Sequence, residues 1–169
     1  MNIIGGSAKG QKIFAPKNIR PTRGLVREAI FSIIQVKDRS FLDLYSGSGG
    51  VGIEALSRGA TRVIFVEKSR KVSTYIRRNL DKTGFEAVII NRAVQSALKT
   101  LNESFDFVFM DSPYRSNLIK KTLNRLDPVL KKDSLVIVEH RTGYNPTHNG
   151  FEVVKNKIYG DTSLLILRK

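Results

Sequence analysis

Four consecutive residues, Asp111-Ser112-Pro113-Tyr114, combine a carboxylate, a constrained backbone carbonyl and an aromatic ring. Pro113 cannot donate to a strand ladder, and it pushes Ser112 into extended backbone. The Ser112 carbonyl is thereby held beside the Asp111 carboxylate. Two such acceptors can grip both hydrogens of an exocyclic amine on a nucleobase. That nitrogen is a poor nucleophile because its lone pair is delocalised into the ring, and the grip favours a pyramidal nitrogen. Asp111 stabilises the positive charge that develops and can take the proton. Tyr114 can stack on the base. Asp and Pro are also common turn residues, so this reading needs support from elsewhere in the chain.

That support comes from Asp43-Leu44-Tyr45-Ser46-Gly47-Ser48-Gly49-Gly50-Val51-Gly52. Glycine serves where backbone must approach a ligand closely or take positive φ. Gly47, Gly49 and Gly52 fit the dinucleotide spacing G-x-G-x-x-G, a weak signal alone. A pyrophosphate wants an uncharged loop at a helix N-terminus. Asp43 would repel it, but it suits a ligand carrying an ammonium and a sulfonium, as S-adenosylmethionine does. Glu67, 20 residues after Gly47, can accept hydrogen bonds from both hydroxyls of a ribose. This trait does not separate S-adenosylmethionine from NAD.

These residues need a scaffold, and the pattern supplies one. The spacing predicts strands at 41–45, 62–66, 87–90, 105–110 and 135–138, with helices at about 50–59, 69–83, 94–102 and 117–130. Continuous apolar strands alternating with helices imply a parallel sheet buried on both faces, with ligands at the carboxyl ends of the strands. Strands near 151–158 and 163–168 follow a turn-rich stretch and are expected to pair antiparallel at one edge. Before the first strand, Thr22 is a plausible N-cap for a helix through Ile34. Residues 1–22 read as a small basic hairpin appendage around Gly5-Gly6-Ser7-Ala8-Lys9-Gly10, and 23–169 as the main domain. Asp43, Glu67 and Asp111 would then end the first, second and fourth strands. Glu139 and His140 would end the fifth, as structural or substrate-edge groups.

Length and composition bound the class. The chain has 169 residues, 41% of them hydrophobic, enough for one domain with a core. No apolar run reaches the roughly 20 residues that cross a bilayer, and the first residues do not read as a signal peptide. The lack of cysteine excludes thiol chemistry and suits the cytoplasm. His140 and His148 alone make a multi-histidine metal site unlike this chain, and no metal is expected. The net charge of +14 favours a polyanionic partner. Residues 1–39 carry eight basic side chains against two acids, and residues 68–82 carry six against one.

The chain resembles the RsmD family of class I methyltransferases. The resemblance rests on Ile3-Ile4-Gly5-Gly6 with Lys9-Gly10, on Arg20-Pro21-Thr22 with Val26-Arg27-Glu28-Ala29 and Phe31, and on the glycine loop with Glu54-Ala55-Leu56-Ser57-Arg58-Gly59-Ala60. It implies a Rossmann-like, seven-stranded, mostly parallel α/β sheet with helices on both faces. It also implies methylation of a guanine N2 in 16S ribosomal RNA, on the RNA or a small-subunit assembly intermediate. A monomer is the default unit. The expected cofactor residues are Asp43, Tyr45, Ser46, Gly47, Gly49, Glu67, Lys68, Ala93, Val94 and Asp111. Asp111, Ser112, Pro113 and Tyr114 are the expected catalytic set. Lys9, Arg20, Thr22, Arg23 and Arg27 are the expected RNA contacts. Two positions depart from the family: Ser112 replaces a proline, and Ala93 stands where a polar side chain is common. Serine can still offer its main-chain carbonyl; alanine leaves only backbone contacts for adenine. Rival readings are N6-adenine methylation of DNA, an NAD(P)-dependent reductase and a non-catalytic RNA-binding module. Asp43 opposes the reductase, and the short chain leaves little room for a DNA target-recognition region.

Overall fold

The computed structural model of the protein describes residues 1–16, 22–113, 117–148 and 150–169. Five parallel strands form its centre: β1 (Ser40–Leu44), β2 (Arg62–Val66), β3 (Val88–Ile90), β4 (Phe105–Asp111) and β5 (Leu130–Arg141). Two more, β6 (Glu152–Tyr159) and β7 (Thr162–Arg168), complete a seven-stranded sheet of order β3-β2-β1-β4-β5-β7-β6. β7 runs antiparallel to both β5 and β6, which leaves β6 at the edge. The strand order reverses direction between β1 and β4. A crevice is expected there, outside the carboxyl ends of the strands.

Strand alternation sends side chains to two cores. Phe41, Val63, Phe65 and Phe109 pack on one face against α1 (Gly24–Ile33), α2 (Gly50–Ser57) and α3 (Arg70–Thr83). Leu42, Leu44, Ile64, Val108 and Met110 pack on the other against α4 (Val94–Ala97) and α5 (Leu118–Leu123). Every residue of β1 is buried, as a central strand covered on both faces requires. α3 has clear ends: Ser69 Oγ accepts from Val72 N at 3.3 Å, and Gly84 closes the helix at φ 71°.

The boundaries differ from the sequence expectation at four places. α1 starts at Gly24 behind Arg23, and no side chain caps it, so Thr22 is not its N-cap. The helix expected over 117–130 stops at Leu123, and a 3-10 turn at Asp127–Val129 follows. Pro128 explains the break, because it has no N–H to bond the Asn124 carbonyl one turn earlier and its ring crowds that carbonyl. β5 begins at Leu130, earlier than expected, with an irregularity at the β4 pairing and Asp133 at φ 62°. The helix expected over 94–102 is reduced to Val94–Ala97.

The N-terminal segment folds back on itself, with an antiparallel bridge between Asn2 and Lys12. Ile3, Ala8 and Ile13 enter the first core. The main clamp is Glu54 on α2, which is fully buried. It accepts hydrogen bonds from Ile4 N, Gly5 N and Arg58 Nε, each at 2.8 Å. Gly6 then passes so close to α2 that an added Cβ would lie 1.8 Å from the Ser57 carbonyl oxygen. With φ at 77°, the position is suited to glycine alone. The segment therefore sits in a fixed place above the glycine loop.

Candidate active site

A cavity of about 510 Å3 opens at the carboxyl ends of β1, β2 and β4. That is the size of a small-molecule site. Asp43, Tyr45, Ser46 and Gly47 line it from the first strand and its loop. Glu67 and Lys68 line it from the second strand end, Ala93 and Val94 from the start of α4. Asp111, Ser112 and Pro113 close it from the end of β4. Of the expected cofactor residues only Gly49 does not line the cavity. It shapes the loop, turning the chain into α2 at φ 80°. Tyr114 and Arg20 lie outside the described residues.

Asp43 is the electrostatic centre. It is 1% exposed, and its Oδ2 accepts from Gly52 N at 2.9 Å. Its Oδ1 is buried and has no hydrogen-bond partner among the described residues. Burial pushes its pKa up to about 8; the Gly52 N–H opposes the rise, and Asp111 and Glu67 add to it. A cation beside Oδ1 would favour the ionised form of this carboxyl. Gly52 enables the contact, since a Cβ there would lie 2.3 Å from the Phe65 ring and 3.0 Å from Asp43 Oδ2. Tyr45 holds φ 59°, an uncommon conformation for a bulky residue. Its hydroxyl lies 2.8 Å from Thr122 Oγ1, which ties the loop to α5.

Glu67 is partly spoken for. Its Oε2 accepts from Gly47 N at 3.1 Å and its Oε1 from Ser69 N at 2.8 Å. Each carboxylate oxygen retains a further lone pair. The glutamate thus fastens the glycine loop and still presents acceptors at the cavity wall. Ser46 Oγ donates to the Asp43 carbonyl at 2.6 Å, so it shapes the loop too. Ser112 is 2% exposed, and its Oγ has no partner among the described residues.

Sequence reasoning missed Val72, Gln95, Phe109 and Leu118, which also line the cavity. Only Gln95 had a signal, its place beside Ala93 and Val94. Its Nε2 donates to Thr122 Oγ1 at 2.8 Å and its Oε1 accepts from Arg125 at 3.2 Å. Gln95 is therefore anchored away from the ligand as a wall. Thr22 lines the same cavity.

The basic residues divide. Lys9 is exposed on the N-terminal turn. Arg23 is half exposed and pairs with Asp161 at 3.1 Å. The expectation that Arg27 contacts RNA is corrected: the side chain is buried, 3.6 Å from Glu54 Oε2. Its Nη2 donates to the Asn2 carbonyl at 2.9 Å. A buried guanidinium beside a buried carboxylate is an internal pair, and it helps hold the N-terminal segment. Part of the second basic stretch is structural as well. Arg78 stacks 3.6 Å from the Phe14 ring centroid, and Lys82 Nζ donates to the Lys12 carbonyl at 2.6 Å.

The sheet order, with β7 alone reversed between β5 and β6, and the acid-lined crevice at the strand ends define a class I methyltransferase. Among solved structures, one from Escherichia coli described as "Putative methyltransferase yhhF" superposes with a TM-score of 0.91 at 31% identity, covering 100% of this chain and 97% of that one. The family described as Conserved hypothetical protein 95 matches over residues 1–168, and the chain belongs to it; this is the RsmD family. Relatives named ribosomal RNA small subunit methyltransferase D occur in Escherichia coli K12 and Buchnera aphidicola (from Acyrthosiphon pisum). Each is 35% identical, over 82% and 81% of this chain and 74% and 76% of their own lengths.

Proposed function

We propose that this protein methylates the N2 amine of a guanine in the RNA of the small ribosomal subunit, with S-adenosylmethionine as donor. The observation that carries the reading is a single cavity walled by Asp43 and Glu67 at one end and by Asp111-Ser112-Pro113 at the other. The names of the relatives support a ribosomal RNA substrate, and the surplus of 14 positive charges suits one. The protein acts as a cytoplasmic monomer on the RNA or on a partly assembled subunit.

The residues present fit the donor. Asp43, with its buried and unpartnered Oδ1, answers a cationic ligand, and Glu67 offers acceptors to a ribose. Ala93 and Val94 supply backbone and apolar surface for adenine, with Tyr45, Ser46, Gly47 and Lys68 around them. When bound, S-adenosylmethionine supplies a methyl group activated on a sulfonium. The chain does the rest. Asp111 and the Ser112 carbonyl accept from the two amine hydrogens, leaving the nitrogen lone pair free. Asp111 takes the proton that the nitrogen sheds as its new bond to carbon forms. Holding the amine in line supplies much of the rate. Lys9, Arg20 and Arg23 contact phosphates, and the target is a loop or extruded base, because a paired N2 is out of reach.

Asp111→Asn tests the reading. Methyl transfer to unmodified 16S ribosomal RNA, or to subunits assembled on it, is expected to fall by about three orders of magnitude. Binding of S-adenosylhomocysteine is expected to persist. Turnover at the wild-type rate in that variant overturns the mechanism. Label transferred to DNA but not RNA overturns the substrate.

A further inference from the structure

A second cavity, of about 420 Å3, meets the first at Pro113, which lines both. It lies at the end of β5, one residue beyond the paired Asp111 and Glu139. His140 lines it and is 3% exposed. Its Nδ1 lies 3.0 Å from the Arg141 carbonyl oxygen, which can only accept, so Nδ1 carries the hydrogen. Burial lowers the pKa of His140, which keeps the ring neutral. Nε2 is then an acceptor, and it is buried with no partner among the described residues. A buried acceptor without a donor is costly, and it marks a place where a ligand can supply one.

The other walls point to the same chemistry. Tyr144 stands edge-on to His140, with ring centroids 6.1 Å apart, and is 45% exposed. Arg141 is exposed at the rim, and Ile119 gives an apolar wall. The Thr142 hydroxyl is already engaged, 3.0 Å from the Gly160 carbonyl oxygen. No acidic side chain lines the cavity among the described residues. An exposed ring, a cation and one inward acceptor together match a nucleotide.

We propose that this cavity receives a second nucleobase of the RNA, next to the methylated one, with its ring against Tyr144 and an edge N–H donating to His140 Nε2. Asp111 and Ser112 face the first cavity and not this one, so the target amine belongs there. One shared residue between the cavities suits neighbouring nucleotides. The inference rests on RNA being the substrate.

Tyr144→Ala and His140→Phe test it, with unmodified 16S ribosomal RNA and subunits assembled on it as probes. Tyr144→Ala is expected to raise the RNA Kd and KM about tenfold. His140→Phe keeps the ring volume, removes the acceptor and is expected to raise them about fivefold. In both variants kcat and the affinity for S-adenosylhomocysteine stay at wild-type values. Should His140→Phe fail to fold, the exposed Tyr144 still decides. Wild-type RNA affinity in Tyr144→Ala overturns the pocket and leaves the functional reading standing. Loss of kcat at unchanged RNA affinity also overturns it. Failure of the wild-type protein to bind either probe refutes the functional reading itself, and the pocket with it.

Discussion

Replacing Asp43 by Asn removes a carboxylate that the fold holds in an unfavourable place. The group rises from the usual 3.8 to about 8 on folding. Between those values the unfolded chain has lost the proton and the folded chain keeps it, so stability falls as pH rises from about 4 to about 8. At pH 7 the cost is about 4 kcal/mol, at 1.36 kcal/mol per pH unit. Asn keeps the acceptor for Gly52 N but buries an amide NH2, which returns about 2 kcal/mol of that gain. The variant is therefore expected to be about 2 kcal/mol more stable than wild type at pH 7 in the absence of cofactor. For a domain of this size that is a rise of about 4–8 °C in Tm. Below pH 4 the wild-type carboxyl is neutral in both states, so the advantage should reverse and the variant should be about 2 kcal/mol less stable, the cost of its buried amide. The same substitution removes the carboxyl that can ionise against the ligand's ammonium, so S-adenosylhomocysteine binding should weaken by about a hundredfold. Thermal melts of both proteins from pH 3.5 to 8, with and without ligand, test both halves. A Tm below wild type at pH 7, or ligand binding as tight as wild type, refutes the placement of Asp43 as a strained group awaiting a cation.

Glu54→Ala leaves Arg27 buried without its anion and is expected to cost about 3–5 kcal/mol. Hydrogen exchange over residues 1–16 should accelerate, and unchanged protection there contradicts the clamp. Gly6→Ala forces a Cβ onto the Ser57 carbonyl at positive φ and should cost about 2 kcal/mol, read from the urea midpoint. At the far end of β4, Asp106 is partly buried, which would raise its pKa. Hydrogen bonds from Lys131 Nζ at 2.7 Å, Ser40 Oγ at 2.6 Å and Ser40 N at 2.8 Å outweigh this and hold it well below the usual range. Its stabilisation is present above about pH 4 and is lost as pH falls. Asp106→Asn should flatten that acid-side decline in a pH series of melts while methyl transfer at pH 7 is retained.

The parallel core was legible because a strand buried on both faces reads as an unbroken apolar run. β1, β2 and β4 announce themselves this way, and the acids that end them were found with them. The early part of β5 was not legible, since Lys131, Lys132 and Asp133 carry no strand pattern; only pairing with β4 makes them one. α5 ends early because Pro128 outweighs the helical spacing around it. Arg27 shows how charge misleads: it lies three and four residues before Ile30 and Phe31, on the stripe that faces the core. That spacing was a usable signal, and the positive charge obscured it.

What the sequence determined by itself was the order of elements and the chemical types at the strand ends, because both follow from local periodicity and residue identity. It could not decide which cations face solvent. Arg27 turns inward because Glu54, 27 positions away, is buried beneath the N-terminal segment. Nor could it show that Asp43 keeps one oxygen without a partner, or that His140 and Tyr144 share a cavity across Pro113. Those are consequences of through-space packing, where contact energies between distant residues are settled only when the sheet and its helices close together.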